Sequence, residues 1–301
     1  MRGKEPMSKA EEQQQRWLVS PEWLHAHLHD PGVVVLDASW VLPEEATPGS
    51  SPREEFEEEH IPGAQFFDID EVADPDAPLP HTAPPPELFA EKVGAMGISN
   101  DSFVVVYDTY APFAAPRAWW LFHLFGHDRV AVLNGGLEAW ELAGFETESG
   151  PAKPRKPATF TAHFQPRLIA DAQQVKEALG KGVPQVVDAR SPGRFAGEEA
   201  EPYKGVPSGH MPGAKNAHYA LFLNIDGTVK TREELKAAFA EAGVDLNRPI
   251  IFTCGSGVTA CMPALAASLL GHEDFAVYDG SWREWSALPD VPKALGKDEH
   301  G

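Results

Sequence analysis

A chain of 301 residues with 45 acidic and 25 basic side chains carries a formal net charge of −20 at neutral pH. That balance excludes nonspecific binding to nucleic acid and docking on anionic membranes, and no apolar run approaches the ~20 residues of a membrane span. Two cysteines are too few for a disulfide framework, and no His or Cys cluster has metal-site spacing, so no metal and no cofactor is expected.

The segment Met1–Arg16 is polar and lacks the apolar centre of a signal peptide. Its Glu11-Glu12-Gln13-Gln14-Gln15 run reads as disordered or frayed helix, and the acidic pair argues against a mitochondrial presequence. Met7 is an alternative natural start, and the expected address is the cytoplasm. Ser20 caps a helix with Pro21 at its first position. Val33–Asp37 is a buried parallel strand that ends in a carboxylate. Leu42–Arg53 is a loop rich in Pro, Gly and Ser. Glu54–Glu59 is an acidic helix that stops at His60-Ile61-Pro62-Gly63-Ala64. The prolines of Asp74–Pro86 make a long surface loop. Glu87–Met96 is a helix, Phe103–Asp108 a second buried strand, and Pro116–Phe125 an apolar helix ended by Gly126. Val130–Leu133 is a strand, and Asn134-Gly135-Gly136 turns into Leu137-Glu138-Ala139-Trp140. Thr147–Pro157 is stiff, basic and poor in large apolar residues, as a linker is.

Beyond the linker the motifs recur in order. Asp37-Ala38 returns as Asp188-Ala189, and His60-Ile61-Pro62-Gly63-Ala64 as His210-Met211-Pro212-Gly213-Ala214. Tyr107-Asp108 matches Thr253-Cys254, Phe125-Gly126-His127 matches Leu270-Gly271-His272, and Asn134-Gly135 with Trp140 matches Asp279-Gly280 with Trp285. The offset is 150 residues at His60/His210 and 146 at Asp108/Cys254. Ordered repetition at a kept spacing marks an internal duplication, and strands alternating with helices give two α/β domains with parallel sheets. The expected division is a first domain over 16–146, a linker over 147–163 and a second domain over 164–292.

The chemistry concentrates at Ile250–Cys261. An apolar strand ends in Cys254, a loop with Gly255 and Gly257 follows, and an Ala- and Leu-rich helix runs from Ala260 to Leu270. Glycines let successive N–H groups turn to one point, and the helix start adds partial positive charge there. Such a cradle favours the thiolate, which is the nucleophile. The first half puts Asp108 at the matching position, so one copy holds a nucleophile and the other is catalytically silent.

These residues resemble the two-domain rhodanese family of sulfurtransferases from about Trp17 to Trp285. The loop Cys254-Gly255-Ser256-Gly257-Val258-Thr259-Ala260 resembles that of 3-mercaptopyruvate sulfurtransferases. Asp188-Ala189-Arg190, Gly193-Arg194-Phe195, the two His-x-Pro-Gly-Ala turns and Ala115-Pro116-Arg117 carry the rest. The resemblance implies two tandem rhodanese-like domains and a Cys254 persulfide formed from a small sulfur donor and emptied by a thiol, such as thioredoxin or a small thiol. It implies Arg194 as the residue that orients the donor, with Gly255, Gly257, Val258 and Thr259 lining its site. Ser256 would pass a proton with His60, reaching in from the first domain. Arg190 is either a donor contact or an ion-pair partner, and Asp188 anchors its strand end or pairs with an arginine.

There are two departures. The family's second arginine, nine residues after the first, is replaced by Tyr203, with Lys204 next to it as a substitute charge. No Asp stands between Val41 and His60 to support that histidine. Thiosulfate, a compact dianion, needs cations that Gly255-Ser256-Gly257 does not offer. A 2-oxo acid needs one guanidinium and hydroxyl donors, which Arg194 and Ser256 supply. The donor expected is 3-mercaptopyruvate, with thiosulfate as the alternative, and a persulfide carrier with little turnover as the non-enzymatic one. Cell-cycle phosphatases share this fold but need an arginine where this chain has Ala260, which argues against phosphoryl chemistry.

Overall fold

The valine-rich runs become strands because β-branched side chains fill both faces of a sheet that helices cover. In the first half these are β1 (Leu18–Val19), β2 (Val33–Asp37), β3 (Gln65–Phe66), β4 (Phe103–Tyr107) and β5 (Val130–Leu133). They form one parallel sheet in the order β1-β5-β4-β2-β3. The second half repeats the order with β6 (Ile169–Ala170), β7 (Gln185–Asp188), β8 (Lys215–Asn216), β9 (Ile250–Thr253) and β10 (Phe275–Tyr278), arranged β6-β10-β9-β7-β8. This computed structural model describes residues 16–42, 50–109 and 113–296. The expectations for residues 1–15 and for most of the Leu42–Arg53 loop (43–49) lie outside the described residues.

The helices of the first half are α1 (Pro21–His27), α2 (Pro52–Glu58), α3 (Ile69–Val72), α4 (Pro86–Ala95), α5 (Ala115–Leu124) and α6 (Gly136–Leu142). Those of the second are α7 (Ala172–Lys181), α8 (Pro192–Ala196), α9 (Arg232–Glu241), α10 (Cys261–Leu269) and α11 (Ser281–Ala287). Ser20 caps α1 by accepting the Trp23 N–H at 3.2 Å, with Pro21 at the first position.

Helices α5 and α10 follow the equivalent strands β4 and β9, and they pack on one another. Every residue of both is buried. Each large apolar side chain there contributes about 1.5–3 kcal/mol by leaving water. The pair therefore welds the two sheets into one core. The contacts across it repeat with the duplication. Asn134 Oδ1 accepts the Val229 N–H at 2.8 Å, and the matching Asp279 Oδ2 accepts the Ala83 N–H at 2.7 Å.

Two segments differ from expectation. Residues 147–163 form no helix or strand, yet they are strapped to the first half rather than free. Glu148 bridges His60, the Ala158 N–H reaches Gly94 O at 2.9 Å, and Phe160 is buried. A Cβ at Gly94 would stand 2.7 Å from Ala158 O, so glycine is what lets the strap lie down. The loop Asp74–Pro86 is not wholly on the surface: His81 is buried, and Ala83 meets Asp279 of the second half.

Candidate active site

Strand β9 delivers Cys254 to the carboxyl edge of the second sheet, where parallel α/β sheets bind their ligands. Gly257 takes φ +83° and turns its N–H onto Cys254 Sγ at 3.1 Å. A Cβ there would stand 2.7 Å from Asp279 O, so no larger residue fits this turn. The Cys254 N–H is held by Ser281 Oγ at 3.1 Å, and Ser281 in turn donates to Tyr278 O at 2.8 Å. Ser281 adopts φ +52° where the first half has Gly136 at φ +63°. A backbone position that favours glycine is thus occupied by a hydroxyl that anchors the cysteine.

A cavity of about 330 Å³ opens over Cys254 and is walled by both halves. The first contributes Trp40, Leu42 and Phe113; the second contributes Arg190, Arg194, Tyr203, His218, Tyr219 and the loop residues Gly255, Ser256, Val258 and Thr259. Trp40 stacks on Phe113 at 5.9 Å, and Phe113 meets Tyr219 edge-on at 5.3 Å.

Beneath the cavity runs a ladder of alternating charges. Asp188 takes Arg190 Nη2 at 2.6 Å, Arg190 Nη1 gives to Glu201 Oε1 at 2.7 Å, and Glu201 Oε2 takes Arg194 Nη2 at 2.6 Å. Arg190 also gives Nη2 to Gly209 O at 2.8 Å and lies 4.8 Å beneath the Trp282 ring. Arg190 is thus held on its ion pairs. Arg194, placed by helix α8 under its Ser191 cap, ends the ladder with its buried Nε lacking any partner among the described residues. Buried donors without partners are rare, and the Arg194 side chain, 15% exposed, lines the cavity.

Ser256 Oγ accepts the Tyr203 O–H at 3.0 Å, and the Arg283 guanidinium lies 4.4 Å from the Tyr203 ring. Burial raises the Tyr203 phenol above its ordinary range, so it is a proton donor at neutral pH. Burial, with Arg194 nearby, lowers His218 and favours its neutral ring. The second cysteine, Cys261, is fully buried, gives its S–H to Gly257 O at 3.5 Å, and is pushed up by burial, so it stays a thiol.

Five residues singled out in the sequence do not line this cavity, Gly257 of the cysteine loop among them. His60 packs within the first half: its Nδ1–H donates to Phe56 O at 2.6 Å, its ring stacks on Phe56 at 4.0 Å, and Nε2 lies 3.5 Å from Glu148. His210 sits on Phe195 in the same way, at 4.0 Å, so the repeated histidine is an element of the turn. Lys204 is exposed and does not line the cavity. Asp188 is buried beneath the ladder.

The sequence did not single out Glu201, the aromatic wall from the first half, or Tyr203 as a partner of Ser256. A usable signal existed for Tyr203, which stands at the nine-residue spacing from Arg194 where the resemblance expects a second arginine.

In the first half the matching loop is filled by its own side chain. The Asp108 carboxylate accepts the N–H groups of Phe113 (2.6 Å), Ala114 (3.1 Å) and Ala115 (2.9 Å). Among the described residues no group of metal-ligating side chains is assembled anywhere.

The rhodanese-like domain family matches residues 20–143 and again 171–288. The human 3-mercaptopyruvate sulfurtransferase is 45% identical over 90% of this chain and 92% of its own length. The thiosulfate sulfurtransferase of Cricetulus griseus is 46% identical over 94% of this chain and 96% of its own. Among solved structures, the crystal structure of SseA from Escherichia coli, a 3-mercaptopyruvate sulfurtransferase, superposes with a TM-score of 0.81 at 36% identity, covering 88% of this chain and 98% of that one.

Proposed function

The chain belongs to the rhodanese family, and from that premise we propose that it takes sulfane sulfur from 3-mercaptopyruvate onto Cys254 and passes it to a thiol. Relatives named for the two donors match it at nearly equal identity, 45% and 46%, so overall similarity does not rank the donors. The observation that carries the choice is the cavity itself. The cysteine loop is uncharged, and Arg194, already half-committed to Glu201, is a partly exposed guanidinium on the cavity wall. That set suits a monocarboxylate with a carbonyl and is poor for a compact dianion.

In the first step the Cys254 thiolate attacks the donor's sulfur. A sulfur–sulfur bond forms, the donor's carbon–sulfur bond breaks, and the electron pair leaves as the enolate of pyruvate. Arg194 holds the carboxylate, while the Tyr203–Ser256 pair stands where a proton can reach the enolate. The Gly257 N–H stabilises charge on the cysteine sulfur. In the second step an acceptor thiolate attacks the outer sulfur and Cys254 leaves as thiolate. The acceptor is a small thiol or a protein dithiol of the thioredoxin class. Buried, unpaired Cys254 and Cys261 fit a reducing compartment, and we place the protein in the cytoplasm. No described helix is long and apolar enough to cross a membrane. The first domain, with Asp108 in place of the nucleophile, is catalytically silent and forms one wall of the site.

The test is steady-state turnover of 3-mercaptopyruvate and of thiosulfate with a thiol acceptor, on the wild type and Cys254→Ser. Preference for 3-mercaptopyruvate, lost in the variant, is the expected result. Preference for thiosulfate would reject the neutral-loop argument. Pyruvate release by Cys254→Ser would reject the nucleophile.

A further inference from the structure

Arg117 lies at the start of α5, in the half without a nucleophile, and it is 1% exposed. A buried guanidinium must spend its donors, and all of those recorded here are spent on the seam between the two halves. Nη1 donates to Gly257 O at 3.2 Å and to Asp279 Oδ1 at 2.5 Å, both in the second half. Nη2 donates to His81 O at 2.5 Å, in the first. The guanidinium also lies 4.5 Å from the Trp120 ring.

The contact with Gly257 bears on the chemistry. Gly257 gives its N–H to Cys254 Sγ and its carbonyl to Arg117, so it is clamped between the sulfur and the guanidinium. Its φ of +83° is a conformation glycine leaves as easily as it enters, so the loop itself does not fix it. Asp279, the other partner of Arg117, approaches the same glycine.

The first-half side of the clamp is built with equal care. His81 adopts φ +62°, where the matching position of the second half is Gly227 at φ +74°. A histidine in that region is held in place by an ion contact with Asp70 and an edge contact with Trp40 at 4.9 Å. This turn aims the His81 carbonyl at Arg117. Trp40 is itself a wall of the cavity, so the donor's pocket and the cysteine's loop share one support.

We propose that Arg117 is a positioning residue for sulfur transfer: from the silent half it fixes Gly257, and so aims the loop amide that stabilises the anionic sulfur of Cys254. The inference rests on the reading of Cys254 as the sulfur carrier, but its first readout needs no sulfur donor.

That readout is the pH profile of Cys254 alkylation by iodoacetamide, followed on the Cys254 peptide by mass spectrometry. Arg117→Gln is expected to move the alkylation midpoint up by about one pH unit, because a loosened amide stabilises the thiolate less. Its kcat for 3-mercaptopyruvate is expected to fall about tenfold or more, with KM changed far less, since Arg117 does not touch the cavity. Removing one partner of a buried pair can also unfold the chain. Arg117→Gln combined with Asp279→Asn removes both charges together and keeps two hydrogen-bonding groups at the seam. A folded double variant with a raised midpoint supports the proposal. A folded double variant with the wild-type alkylation profile and kcat overturns it, because then the loop holds its own geometry. A raised midpoint in a protein that turns over neither donor supports the role of Arg117 and rejects the donor assignment instead.

Discussion

Arg194 ends the charge ladder and lines the cavity with a side chain 15% exposed, and a carboxylate that docks on its guanidinium gains a charge-assisted hydrogen bond worth ~1.5–3 kcal/mol. Arg194→Gln is therefore expected to raise KM for 3-mercaptopyruvate about ten- to a hundredfold in steady-state assays. An unchanged KM would mean that the carboxylate docks elsewhere. His60 gives the opposite expectation. Its ring is committed to Phe56 and Glu148, so His60→Gln should lower Tm while leaving kcat within about twofold of wild type. A collapse of kcat in a variant with wild-type Tm would restore it to the reaction. The arrangement around Cys254 was legible in the sequence because strand, cysteine, glycine loop and helix are contiguous. The misplacement of His60 has a physical origin: a histidine in a His-x-Pro-Gly turn is satisfied by the aromatic ring and carbonyl of the preceding helix, and nothing local tells that use from catalysis.

The two loops that follow β4 and β9 have the same length, from Asp108 to Ala115 and from Cys254 to Cys261, and differ in what fills them. Burial raises the Asp108 carboxyl from 3.8 to about 7, against the amide donors that favour its charged form. A carboxyl raised on folding favours the protonated native state. Its contribution is fully present below the unfolded value of 3.8 and is lost as pH rises through about 7. Denaturant unfolding of wild type and Asp108→Asn should show this directly. From about pH 5 to about pH 7 the wild type should lose stability relative to the variant by up to ~1.4 kcal/mol per pH unit. A difference that stays flat would mean that the amides keep the carboxylate ionised throughout. At this scale the longer strands and helices of the first half, and helix α10, were legible within a residue or two, since period and caps are local, whereas helices α7 and α9 were not assigned. The edge strands β1, β3, β6 and β8 have two residues each and carry no period to read. The Pro-rich stretch 74–86 had the composition of a surface loop, but its His81 and Ala83 are held by groups far away in the sequence, so composition could not reveal the seam.

As a whole the molecule is strongly acidic, yet its proposed donor is an anion that must reach a pocket with one guanidinium to spare. Long-range repulsion is screened over ~30 Å at about 0.01 M salt and over ~8 Å at about 0.15 M, whereas a partly buried contact is screened much less. KM for 3-mercaptopyruvate should therefore fall as ionic strength rises over that range, with kcat steady. A rise in KM would mean that the contacts in the pocket, rather than the field around it, dominate capture. The duplication was legible because motifs recur in order. The exchange of Asn134 and Asp279 across the seam was not, because each partner lies about 95 or 196 residues away, and a single sequence does not report such pairs.

The filled loop of the first half also bears on oxidative damage. An aspartate side chain and a cysteine sulfinate are close in shape: one methylene, then two oxygens that share a negative charge. Asp108, held by the N–H groups of Phe113, Ala114 and Ala115, thus shows the shape of group that this position of the fold accepts. Two equivalents of peroxide would convert the thiolate to the sulfinate, each giving up one oxygen and leaving as water, and the sulfinate is not returned by thiols. The Gly257 N–H, which lies on the cysteine sulfur, would then meet the dead product. The persulfide proposed on Cys254 would keep peroxide from that sulfur, so protein loaded with sulfur should outlast the empty form.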